Sequence, residues 1–181
     1  MVLHVAQECA CGIPDVRIVF ASRHGELVRT TTMLEGLAAK EDLSPTLFSM
    51  SVLNASVGLF SILQKNTAPA TAISAGCASF GYGLLEASLQ LADKPELPVL
   101  LVYADEPVPS VYEECELPGS KAHGIGLLLE SSAEMRISIS SSGGRFAPSR
   151  ETQSHAFLRC LDQGESEWRE SDRTWCWKRE E

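Results

Sequence analysis

The residues best suited to chemistry lie in one run, Ile73-Ser74-Ala75-Gly76-Cys77-Ala78-Ser79-Phe80-Gly81-Tyr82-Gly83. An apolar strand reads to Ser74, a turn of small residues follows, and a helix starts at about Ala78. Cys77 therefore falls near a helix N-terminus, where unpaired N–H groups and the positive end of the helix dipole favour a thiolate. The small neighbours Ala75, Gly76, Ala78 and Ser79 leave room for a substrate at the sulfur. Such a thiolate would accept an acyl group from a thioester. The competing reading is a thiol that only packs at a helix start.

A nucleophile of this kind needs a base. His24, in Arg23-His24-Gly25-Glu26, sits between a strand and a helix, where loops often carry sites. The same residues also suit a plain turn and a helix start. His123 reads as a loop histidine before a strand, and His155 as a residue inside a helix. Asp105-Glu106 and Glu113-Glu114 with Glu116 read as a solvated acidic loop. The six cysteines (9, 11, 77, 115, 160 and 176) are irregularly spaced, and no second pair or histidine cluster joins Cys9-Ala10-Cys11 to complete a zinc site. Phosphate-loop and dinucleotide fingerprints are missing. Gly81-Tyr82-Gly83 falls within a helical pattern, where the glycines suggest close packing at an interface. No metal and no cofactor is expected.

These groups must be positioned by a framework that the chain spells out in order. Residues 1–15 are poorly patterned, with Gly12 and Pro14 as breakers, and form a separate N-terminal segment before a domain over 16–181. Val16 to Ala21 reads as a buried strand and Glu26 to Lys40 as a helix. Ser44-Pro45 opens another helix, with Ser44 as N-cap, Pro45 in its first turn and a break near Asn54. Strands follow at Ile73 and at Pro98 to Ala104, separated by the helix after Cys77. Asp105 to Lys121 is a loop rich in proline and acid. Gly124 to Glu130 and Arg136 to Ser140 read as the two arms of a hairpin. Glu151 to Asp162 is helical, and the end of the chain carries one or two short strands. Alternating strands and helices followed by a hairpin imply an α/β class with a mixed sheet and packed helices.

The 181 residues suffice for one domain with a sizeable core. A net charge of −9 argues against nucleic acid as a partner, and against an acidic carrier protein unless a local basic patch receives it. No apolar run is long enough to span a bilayer, and Met1 to Val16 lacks the features of a signal peptide, so a cytoplasmic location without membrane association is expected.

With its elements in order, the chain resembles the N-terminal half of β-ketoacyl synthases, condensing enzymes of the thiolase-like fold. Ile73-Ser74-Ala75-Gly76-Cys77-Ala78-Ser79 is similar to their I-S-T-A-C-S-S nucleophile motif. Asn54-Ala55-Ser56-Val57-Gly58-Leu59 resembles the helix segment before it, and Pro98 to Asp105 the strand after it. Gly124-Ile125-Gly126-Leu127-Leu128-Leu129-Glu130 resembles the G-A-G-x-x-V-L-E strand. Phe20 to Leu27, Leu43 to Ser49, Tyr103 to Pro107 and the Trp175-x-Trp177 pair are similar to a short, stand-alone bacterial group linked to type II fatty-acid-like or polyene synthesis. The resemblance covers roughly residues 16 to 178.

That resemblance implies a thiolase-like half-domain. The histidines that activate the donor in a complete condensing enzyme belong to its second half. His123-Gly124-Ile125-Gly126 only superficially echoes the H-G-T-G motif there, since its sequel places it on the N-terminal-half strand. Independent condensation is therefore not expected. The implied role is a chain-length-factor-like subunit in fatty-acid or polyketide-type (aryl polyene-like) synthesis. It would pair with a complete ketosynthase, or with itself, and meet an acyl carrier protein. Cys77 holds the nucleophile position, His24 is the candidate base, and Asn54, Phe48, Phe80 and Tyr82 are candidate substrate or interface residues. The alternative is an acyltransferase or thioesterase-like enzyme with Cys77 as the acyl-accepting nucleophile. A half-domain would leave a large apolar face uncovered, which implies an oligomer.

Overall fold

The structure is a computed structural model and describes residues 1–10, 12–116 and 121–180. Cys11 of the close cysteine pair and Pro118 of the acidic loop lie outside the described residues. A four-stranded mixed sheet forms the frame, from β1 (Arg17–Ala21), β2 (Ala70–Ile73), β3 (Val99–Asp105) and β4 (His123–Leu129), in the order β2-β1-β3-β4. β1 runs parallel to β2 and β3, and β4 runs antiparallel to β3. Every residue of β1 and β3 is buried, as their near-continuous apolar runs require of strands covered on both faces.

Two helices cover one face. α1 (Val2–Cys9) and α4 (Ala55–Gln64) pack Ala6, Val57 and Phe60 against Ile18, Phe20, Leu100 and Val102. The helix α1 corrects the expectation for residues 1–15. Its breakers, Gly12 and Pro14, come after it, and Val2, Val5, Ala6 and Cys9 recur at helical spacing on the side that meets the sheet. β4 makes room for it, since a Cβ on Gly126 would lie 2.9 Å from Val5 Cγ1. Burial, with Glu8 nearby, pushes the Cys9 thiol up, which fits a packing rather than a reactive cysteine.

α2 (Leu27–Ala38) and α3 (Pro45–Ser49) lie between β1 and α4 in the chain. The Ser44 cap is present: its side chain accepts the Leu47 N–H, with Pro45 opening the helix. The break near Asn54 is real, and α4 begins at the next residue.

The other sheet face is covered by α5 (Ser79–Asp93), which settles close because Gly83 has no side chain. A Cβ there would approach Ala21 Cβ to 2.7 Å. The α5 glycines thus serve close packing inside the chain. Above α5 lie α6 (Gln153–Gln163) and a second antiparallel sheet of β5 (Arg136–Gly143), β6 (Glu165–Arg169) and β7 (Arg173–Glu180), ordered β5-β7-β6. Phe80, Phe157, Trp168, Trp175 and Trp177 fill the space between the sheets. Part of the apolar face expected to lie open on a half-domain is therefore covered here by the chain's own tryptophans.

The expected hairpin between β4 and β5 does not form. β4 pairs with β3 and β5 pairs with β7, in different sheets. The side-chain patterns account for this. β4 is apolar toward both faces, as a strand under α1 and over the helical layer must be. β5 alternates, with Ile137 and Ile139 inward and Ser138 and Ser140 toward solvent, as suits a sheet covered on one side.

Candidate functional site

The site is a cleft at the C-terminal ends of β1 and β3, the usual position for sites in open α/β sheets. Its organiser is Asp105, the last residue of β3 and 9% exposed. One carboxylate oxygen, Oδ1, accepts hydrogen bonds from Ser22 Oγ at 2.8 Å, Arg23 N at 2.8 Å and His24 N at 3.1 Å. The other, Oδ2, accepts from the Tyr103 hydroxyl. Ser22 Oγ in turn accepts the Gly25 N–H at 2.7 Å, and Gly25 turns the chain with φ +54°. A buried carboxylate thus holds the whole loop between β1 and α2. Burial, with the Asp105 charge beside it, pushes the Tyr103 phenol far up, so Tyr103 stays a hydrogen-bond donor.

That loop presents His24 and Arg23. The His24 ring lies 3.7 Å from Glu116 Oε2, and its buried Nε2 has no hydrogen-bond partner among the described residues. Arg23 pairs with Glu116 Oε1 at 3.3 Å, and Val108 N donates to Oε2 at 3.2 Å.

Cys77 arrives from the neighbouring turn. Gly76, with φ +57°, bends the chain after β2, and Ser74 Oγ donates to Arg23 O at 3.2 Å, tying this turn to the His24 loop. Cys77 is half-buried and unbridged and stands two residues ahead of α5. The free N–H groups expected around it are largely spoken for. Ala78 N and Ser79 N donate to Ala75 O and Gly76 O, and Gly81 N donates to Gln153 Oε1 at 2.6 Å.

Cys77 and His24 share the wall of one cleft with Asp105, Glu116, Thr152 and Trp168, around a volume of ≈ 100 Å³. The other expected site residues lie elsewhere. Asn54 is exposed at the start of α4 with no side-chain cap, and Phe48 is exposed on α3. Tyr82 packs edge-on against Trp175 at 5.0 Å. Phe80 is fully buried between the sheets against Tyr103 and Phe157.

Two histidines with no expected function also meet at this end. His123 and His155 stack with ring centroids 5.0 Å apart. His123 Nε2 lies 2.8 Å from Ser154 Oγ, and His155 Nδ1 lies 2.8 Å from Thr152 Oγ1. Sequence reasoning missed this pair, and also the roles of Asp105 and Glu116. The one available signal was an acid ending an otherwise apolar strand, since a buried carboxylate needs donors around it. Among the described residues no group of three or more His, Cys, Asp or Glu is placed to hold a metal ion, and no helix is long and apolar enough to cross a membrane.

Comparison with known proteins extends this picture. A chain of the complex "Ketosynthase (ApeO) in Complex with its Chain Length Factor (ApeC) from Xenorhabdus doucetiae" is similar at 30% identity with a TM-score of 0.80, covering 98% of this chain and 76% of that one. A chain of the ishigamide ketosynthase/chain length factor shares the fold at 16% identity and a TM-score of 0.57, over 83% of this chain and 46% of that one. No curated protein matches. Residues 1–178 match the family described as "Beta-ketoacyl synthase, N-terminal domain". A thiolase-like α/β frame, a cysteine at its nucleophile turn and a family match over nearly the whole length lead to one conclusion: this chain belongs to the β-ketoacyl synthase N-terminal domain family.

Proposed function

We propose that the chain is the non-autonomous partner of a complete ketosynthase, shaping the acyl cavity in polyene or polyketide-type synthesis. The observation that carries this reading is the similarity, over 98% of the chain, to a chain from a ketosynthase–chain length factor complex. This chain spans 76% of that chain's length. The surface supports the reading. Leu34 and Leu37 on α2, Phe48 on α3 and Ile62 and Leu63 on α4 are all exposed, which leaves large apolar side chains on these three helices for a partner to cover. β2, Ala70-Thr71-Ala72-Ile73, is an outer strand without charge or proline, an edge with nothing to discourage pairing. The cleft points the same way. A volume of ≈ 100 Å³ is below the roughly 300 Å³ at which small-molecule sites begin, so an acyl chain would need walls from another subunit.

The test is co-expression with the ketosynthase that accepts the same acyl carrier, followed by size-exclusion chromatography with mass measurement. A stable one-to-one complex is expected. Two species that elute separately at every concentration would overturn the proposal.

The shared cleft of Cys77 and His24 favours a second reading, in which His24 takes the Cys77 proton, the sulfur attacks a carrier thioester, and the carrier leaves as a thiol protonated by the same His24 as the acyl–Cys77 thioester forms. Incubation with acyl-carrier thioesters and intact-mass measurement tests it. An adduct lost in Cys77→Ala supports this reading, and no adduct on the wild-type protein rejects it.

A further inference from the structure

β4 and β5 follow one another in the chain but enter different sheets, each as an outer strand. Where a hairpin would have closed the layer, a slot of ≈ 560 Å³ remains between them. It is several times larger than the Cys77 cleft and falls inside the roughly 300–1,000 Å³ range of small-molecule sites. Leu84, Ser88 and Leu91 line it from α5 at spacings of four and three, so they form one stripe, which rises about 10 Å along the helix. Phe157 and Leu161, four apart on α6, also line it. Leu127 and Leu129 on β4, and Ile137 and Ile139 on β5, are pairs two residues apart and so lie on one face of each strand. Leu84 and Phe157 are buried, while the strand residues are only partly covered although they pack against the core.

The side chains inside this slot offer hydrocarbon. The two hydroxyls that reach it are already used: Ser88 Oγ donates to Leu84 O at 2.8 Å, and Ser131 Oγ donates to Pro95 O at 2.7 Å. Phe157 is the one aromatic residue in the lining, so no pair of rings is there to sandwich a flat ligand. Charge enters only where the connection between β4 and β5 begins and ends, with Glu130 just past β4 and Arg136 at the start of β5. Both are exposed, and neither belongs to an ion pair among the described residues. Their opposite signs cancel, so this end of the slot favours neither an anionic nor a cationic group. A carboxylate that accepts and a guanidinium that donates suit an uncharged group that does both, such as a hydroxyl.

We propose that this slot binds a straight aliphatic chain with an uncharged polar end, the chain lying along the α5 stripe and the polar end held between Glu130 and Arg136. Burial of the half-covered leucines and isoleucines drives the binding, and the stripe sets a linear rather than a compact shape. The site is independent of the partner role and of any chemistry at Cys77, because slot and cleft share no lining residue.

The test titrates straight-chain alcohols, from hexanol to decanol, into the full chain labelled with ¹³C at its isoleucine δ1 methyls. The Ile137 and Ile139 resonances should shift and saturate together, while those of Ile62, exposed on α4, and Ile73, on β2, stay in place. Each added methylene should tighten binding by about fourfold. Decanol should bind about tenfold tighter than adamantanol, whose cage holds as many carbons but cannot lie along the stripe. Decanoate and decyltrimethylammonium should bind no tighter than decanol. Ser88→Phe fills the slot from α5 and should weaken decanol by about tenfold. Should that variant not fold, the series on the unsubstituted chain decides alone. Shifts centred on Ile62 overturn the proposal, because the alcohol would then only coat the exposed helices. So do affinities that ignore chain length, equal binding of adamantanol, or tighter binding of either charged ligand.

Discussion

The cleft end of the molecule and its α2–α4 side manage polar and apolar groups in opposite ways. At the cleft, Asp105 satisfies four donors, Glu116 engages Arg23 and the Val108 N–H, and the first turn of α5 is bonded to its own loop and to Gln153. On the α2–α4 side, apolar side chains stand in water, with Ile62 74% and Phe48 60% exposed. A surface that has resolved its interactions internally has little left to offer a partner. One that has not is where association lowers the free energy most. On the function proposed above, the contrast would put recognition on the helical side and any chemistry in a cleft that holds little volume alone.

The sharpest way to break this comparison is at the helical side. Phe48→Glu combined with Ile62→Glu places two charges in the apolar surface without touching the core. Affinity for the ketosynthase should fall by about 100-fold or more, with circular dichroism and thermal midpoint unchanged. Undiminished binding would move the interface elsewhere, with the β2 edge as the next candidate.

Asp105→Ala probes the other region and should act on stability rather than association. It leaves Ser22 Oγ, Arg23 N, His24 N and the Tyr103 hydroxyl without their acceptor at one stroke. A cost of about 3 kcal/mol is expected, since each buried donor left unmade costs about 1–3 kcal/mol and the loop can recover some bonds from water. Urea unfolding should show a lower midpoint at unchanged slope. A loss below about 1 kcal/mol would mean that the loop is held by something other than this carboxylate.

The same contrast explains what the chain made legible. Patterns that depend on near neighbours could be read: the apolar run of β1, the Ser44 cap, the break before α4 and the strand–turn–helix around Cys77 all stand where their residues imply. Failures came where distant segments decide. Nothing local in Gly124–Glu130 says whether its partner is β3 or β5; the choice follows from α1 and the helical layer, which pack against its two faces. The three tryptophans of the last strands were visible as residues, but their task of closing the face of α5 appears only once the chain has returned over it. The site divides likewise. Cys77 and His24 carried recognisable local settings, whereas Asp105 gains its role from donors about 80 residues earlier, and His123 and His155 meet only because α6 docks beside β4.

The smallest expected effect tests whether the cleft matters to the fold at all. Cys77→Ser keeps the shape of the side chain and removes a polarisable sulfur. The thiol is half-buried at the edge of the core and free of any disulfide, and Gly76 and Ser79, not Cys77, shape its turn. The substitution should therefore change stability by less than about 1 kcal/mol and leave ketosynthase affinity within about twofold. Fold and partner binding would then be independent of the sulfur, and an acyl adduct that disappears in the same variant would isolate its chemistry cleanly. Should the sulfur instead be needed for association, the separation between the two regions fails, because the cleft itself would lie in the interface and be walled by the partner.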